Sequence, residues 1–122
     1  MTDIIDFVQL KQTLRNFAKL RKWEKFHTPK NLSMAIAGEA GELLEIFQWL
    51  TADESLHVRK NLILKEKVSY ELADIILYIV RLADQLNINL SEATLNKIEI
   101  NSKKYPVNLV KGSHKKYTEY NN

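Results

Sequence analysis

The chain has 122 residues, of which 45% are hydrophobic and 27% charged, with a formal net charge of +3. That suffices for one soluble globular domain with a single helical core and excludes two. The lack of cysteine excludes disulfides, thiolate metal sites and cysteine nucleophiles, and no apolar run reaches the roughly 18 residues of a membrane span.

The charge excess permits an anionic substrate without requiring nucleic acid. Aspartates stand early and no signal-peptide pattern follows, so the expected location is the cytoplasm. Three glycines and two prolines are too few to punctuate strands and hairpins, and the expected fold class is all-α. A first helix is expected from Asp3 to Lys25, with Phe7, Leu10, Leu14 and Phe17 on its apolar side. Pro29 disfavours helical geometry at Thr28 and marks its end. Asn31 is read as the cap of a second helix, Leu32 to Leu50.

Thr51 and Glu54 match a capping box. The helical stretch after it breaks near Asn61 before a long apolar helix from Ile63 to Leu86. Asn89 and Glu92 cap a fourth helix that ends near Lys104, where Pro106 stops it. The tail, residues 107–122, is polar and basic and is expected to order only against another surface. From Leu72 to Ala83 the third long helix is apolar on nearly every side, interrupted mainly by Asp74 and Arg81. A helix apolar all round is buried all round, which a dimer sharing a helical bundle would achieve.

The chemistry lies in two pairs of acids, Glu39-x-x-Glu42 and Glu71-x-x-Asp74. At about 100° per residue, Glu39 falls inside the apolar sector of the second helix and Glu42 at its margin, while Glu45 faces outward. On the third helix Asp74, Ile75, Tyr78 and Leu82 all lie within about 60° of Glu71. Carboxylates are almost never buried unless paired or metal-bound, and an oxygen-only set suits Mg2+, with Mn2+ as a substitute. A di-iron bundle would use Glu-x-x-His pairs, and none of the three histidines has that spacing. Gly38 and Gly41 beside Glu39 suggest a close approach to the backbone there.

These residues resemble a known family. Trp23 to Leu32 (W-E-K-F-H-T-P-K-N-L), Gly38-Glu39-Ala40-Gly41-Glu42-Leu43 with Phe47-Gln48-Trp49, Glu71-Leu72-Ala73-Asp74-Ile75, and Asn101-Ser102-Lys103-Lys104-Tyr105-Pro106 carry the likeness. So does the tail segment Lys115 to Glu119. The chain resembles the all-α MazG-like nucleoside triphosphate pyrophosphohydrolases, in particular their dCTP pyrophosphatase branch. The resemblance implies a four-helix MazG-like bundle completed by dimerisation, or a tetramer built from dimers. It implies residues 1–106 as the pyrophosphohydrolase domain, with 107–122 as a basic tail. The implied reaction is Mg2+-dependent hydrolysis of a (deoxy)nucleoside triphosphate, dCTP or a related dNTP, to monophosphate and pyrophosphate, in nucleotide-pool housecleaning. The metal and catalytic residues carried over are Glu39, Glu42, Glu71 and Asp74. One departure is visible: Tyr70 stands where the family often has a first acid before Glu71.

Phosphoryl transfer asks mainly for positioning and charge neutralisation. Glu42 is the first choice to orient or deprotonate the attacking water. Lys30 and Lys104, with the tail lysines Lys111, Lys115 and Lys116, are candidates for the triphosphate. Trp23, His27, Trp49 and Tyr105 are candidates for the base, where aromatic stacking is worth ~1–3 kcal/mol. Asn31 belongs to the matched substrate-side segment, and Tyr78 and Asn101 are candidates for sugar or phosphate oxygens. Three other readings compete: a non-catalytic helical dimerisation module, a related all-α enzyme acting on dUTP or phosphoribosyl-ATP, and, ranked last, a nucleic-acid binder.

Overall fold

The computed structural model describes residues 6–112, and no strand occurs among them. Six helices follow in chain order: α1 (Phe7–Leu20), α2 (Pro29–Phe47), α3 (Ala52–Leu56), α4 (Leu62–Gln85), α5 (Leu90–Lys104) and α6 (Val107–Val110). Short 3-10 turns at Glu24–Phe26 and His57–Lys60 link them. The helices fall into two compact units, one ending at Ile88 and the other beginning at Asn89.

Local chemistry explains most boundaries. Asp6 caps α1 by accepting from the backbone N–H groups of Val8 and Gln9, and Asn61 caps α4 through those of Ile63 and Leu64. Asn89 caps α5 by accepting from the N–H of Glu92. Thr51 and Glu54 form the reciprocal capping box, each side chain bonded to the other's backbone N–H.

Several boundaries differ from the sequence reading, among them the end of α2, which falls at Phe47 rather than Leu50. α1 stops at Leu20 rather than Lys25, because Lys22 turns left-handed at φ 55°. The Trp23 N–H then bonds back to the Ala18 carbonyl and the Lys22 N–H to that of Lys19, which is a Schellman ending. The same device ends α4, with Asn87 left-handed and Ile88 bonded back to Ala83. α2 is capped by Thr28, not Asn31: Pro29 occupies the first helical position, where its missing N–H costs nothing. Asn31 instead donates to the Phe26 carbonyl and ties the preceding turn to the helix. Beyond Pro106 the chain forms the one-turn helix α6, where the sequence suggested only a tail. Lys115 and Lys116 lie outside the described residues.

In the first unit α2 and α1 both pack against α4. Ala18, Leu32, Val58, Val80 and Ala83 form the buried core. Leu72, Ile76 and Ile79 remain more than a third exposed, so a single chain does not bury α4 all round. A Cβ added at Gly38 or Gly41 would meet no atom within 4 Å, so no neighbour in the described chain requires glycine there.

Candidate active site

The helical repeat sets each pair of acids one turn apart on its own helix, and the packing of α2 on α4 sets the pairs beside each other. Carboxylate oxygens of Glu39, Glu42 and Glu71 come within 4.8 Å of one another. Glu39 and Glu71 are half-buried, and Glu42 is exposed. One oxygen of Glu39 and one of Glu71 are buried with no hydrogen-bond partner. Such orphaned acceptors are costly. The crowding also holds a proton: the Glu39 carboxyl is pushed up to about 8, chiefly by the neighbouring Glu71 and Glu42 oxygens and further by burial.

Either a proton or a cation can relieve this cluster. Three oxygen donors with two unsatisfied acceptors fit a hard divalent ion such as Mg2+, which keeps remaining positions for water or phosphate. The acids open onto a groove of about 680 Å³ lined by Glu42, Glu45, Ile46, Leu64, Lys67, Tyr70 and Glu71. Lys67, one turn before Glu71, brings a cation to that groove. The sequence reading passed over it because a lysine four residues before an acid is usually part of a solvated helix face.

Asp74 is not part of the three-acid cluster. Together with Trp23, His27, Leu77, Tyr78 and Arg81 it lines a second cavity of about 210 Å³, which Leu14 and Phe17 complete. Trp23 meets Phe17 edge to face at 5.9 Å, and its ring lies 6.3 Å from that of His27. Trp23, His27 and Tyr78, singled out separately in the sequence, therefore share one aromatic pocket with the fourth acid.

Two further candidates of the first unit, Lys30 and Trp49, are not among its lining residues. Lys30 stands exposed in the first turn of α2. Trp49, just beyond α2, is 86% exposed. In the second unit Asn101 and Lys104 belong to α5 and Tyr105 is its C-cap, with the Tyr105 N–H bonded to the Asn101 carbonyl. Arg81, Asp84 and Arg15 were not candidates. Arg81 shows in the sequence only as a charge inside an apolar run, while Asp84 and Arg15 give no local signal at all.

The MazG-like family pattern matches residues 34–120. This chain belongs to the MazG-like family. It is 43% identical over 107 residues to dCTP pyrophosphatase 1 of Homo sapiens and 40% identical over 107 residues to that of Mus musculus. In each case the match takes in 84% of this chain but only 61% of the relative's length. Among solved structures, a pyrophosphatase from Archaeoglobus fulgidus DSM 4304 superposes with a TM-score of 0.76 at 41% identity. That superposition covers 87% of this chain and 98% of the other. The all-α MazG-like fold expected from the sequence is thus the fold of this chain.

Proposed function

We propose that this MazG-like chain hydrolyses nucleoside triphosphates to the monophosphate and pyrophosphate, with a deoxycytidine nucleotide as the preferred substrate. The observation that carries the reading is the trio of Glu39, Glu42 and Glu71 with two buried oxygens left without partners. The names of its relatives agree with the reaction and the base.

In this reading Glu39, Glu42 and Glu71 hold Mg2+, with Asp74 one turn further along α4 as the fourth acid. Mg2+, when bound, neutralises phosphate oxygens and acidifies water. Glu42, the exposed member of the trio, orients or deprotonates the attacking water. The water oxygen bonds to phosphorus while the bond to the pyrophosphate leaving group breaks. Lys67 lines the groove beside Glu71 and neutralises phosphate charge there. The base enters the Trp23–His27–Tyr78 cavity, where Trp23 offers a stacking face. A second protomer covers the exposed apolar residues of α4.

The test is pyrophosphate release from a panel of dNTPs and NTPs, with and without Mg2+, beside Glu71→Ala. Mg2+-dependent release that Glu71→Ala abolishes is the expected result. Silence across the panel from folded protein overturns the reading.

A further inference from the structure

Arg81 lies in the apolar run of α4 and is only 7% exposed. A guanidinium is always charged and only donates, so each of its neighbours must accept. Its Nε donates to His27 Nδ1 at 3.1 Å. One of its terminal nitrogens donates to Asp84 Oδ2 at 3.2 Å. Asp84, whose side chain is 7% exposed, is held in turn by Arg15 of α1 through two bonds of 2.7 and 2.6 Å. Cation, anion, cation and imidazole thus form one chain across α1, α4 and the turn before α2.

This chain has a chemical consequence for the ring at its end. Because Arg81 cannot accept, His27 Nδ1 must keep its lone pair, and the neutral ring then carries its proton on Nε2. Protonating Nδ1 would break the bond and set two cations against each other. Burial first, and the Arg81 charge second, hold the imidazole below its usual titration range. His27 and Arg81 both line the cavity that Trp23, Asp74 and Tyr78 share.

We propose that Arg81, backed by Asp84 and Arg15, is a positioning residue that fixes His27 as a neutral Nε2–H donor for selecting the nucleobase. The inference rests on the reading of that cavity as the seat of the base. A donor that cannot become an acceptor favours a ring whose facing edge carries a lone pair. Cytosine has an unprotonated ring nitrogen at the position where uracil and thymine carry an N–H. The network therefore discriminates among pyrimidines without touching the phosphates.

The experiment has two readouts. In long-range proton–nitrogen spectra of the full, nucleotide-free chain, His27 Nδ1 should resonate as unprotonated and Nε2 as protonated at neutral pH. The double variant Arg81→Leu with Asp84→Leu removes the buried cation and its counter-ion together and leaves no buried charge orphaned, since Arg15, the remaining partner of Asp84, is half-exposed. It should let the ring populate both tautomers and lower the dCTP-over-dUTP ratio of kcat/KM about ten-fold, one hydrogen bond's worth. The loss should sit in the KM for dCTP with kcat nearly unchanged. Should the double variant not fold, His27→Gln offers either a donor or an acceptor and should lower the ratio equally. A protonated Nδ1 or a tautomer mixture in the unaltered chain overturns the proposal, as does an unchanged ratio in the variants. Failure of every triphosphate to release pyrophosphate would overturn the functional reading instead, and the nitrogen spectra would still decide the tautomer.

Discussion

Two charged clusters share α4, and they solve the problem of partial burial in opposite ways. Near its middle, Glu71 meets Glu39 and Glu42 of α2, three crowded carboxyl groups with two oxygens unsatisfied. Three to four turns on, Asp84 lies between Arg15 and Arg81, and the charges alternate in sign with direct bonds throughout. The second cluster is complete within the protomer. The first needs a proton or a cation from outside. One helix thus carries both a satisfied cluster and an unsatisfied one.

The comparison breaks most severely at Asp84. Replacing it with alanine leaves the buried Arg81 without its counter-ion, and stability to urea should fall by about 3–5 kcal/mol. A loss below 1 kcal/mol would show that water already reaches Arg81. The opposite outcome is expected for Glu39→Gln in metal-free protein, which puts a permanently neutral group where the Glu39 carboxyl holds its proton up to about pH 8. That variant should melt no lower than the parent yet lose Mg2+ binding by calorimetry. Unchanged Mg2+ affinity would remove Glu39 from the site.

Turnover sharpens the functional side. Glu42→Gln should lower kcat roughly 10²–10³-fold, the scale of one group acting at the transition state, with a much smaller change in substrate affinity. Equal losses in both would reduce Glu42 to a binding role.

Titration should separate the clusters by sign. Glu39, raised to about 8 from an ordinary 4.5, holds its proton more tightly in the folded chain than in the unfolded one. Its contribution to stability is therefore present below 4.5 and lost as pH rises towards 8. Asp84 is depressed below 3.8, first by its bonds to Arg15. Its contribution is present above 3.8 and lost as pH falls through the depressed value. Metal-free protein should thus be most stable in mild acid, and saturating Mg2+ should flatten the alkaline side by displacing the Glu39 proton. Melting temperatures across pH with and without Mg2+ measure this. An alkaline slope that Mg2+ leaves unchanged would assign it to another group. The smallest effect is expected at Arg15→Gln, where half-exposed Arg15 gives up its bonds to Asp84 but Arg81 remains, so melting should shift only slightly downward.

Much of the local structure was written in adjacent residues. Thr51 with Glu54, Asn61, and Asn89 with Glu92 form the caps their types suggest, because a cap needs only a side-chain oxygen two or three residues from an N–H. Asn87 is a residue type that enters the left-handed region readily, whereas Lys22 is not, which is why the end of α4 was legible and the end of α1 was not. Thr28 was overlooked because Pro29 reads equally as the stop of one helix and the first residue of the next.

The sequence by itself determined the helical class, the family and the pairing of acids one turn apart, since all depend on short-range spacing. Periodicity gives a direction around one helix axis and nothing about how two helices are rotated or shifted against each other. Only the packing of α2 on α4 decided that Glu39, Glu42 and Glu71 converge while Asp74 opens onto the aromatic cavity. Only tertiary structure could join Arg15 to Asp84 across 69 residues and Arg81 to His27 across 54, because such hydrogen bonds depend on distances that no local pattern encodes.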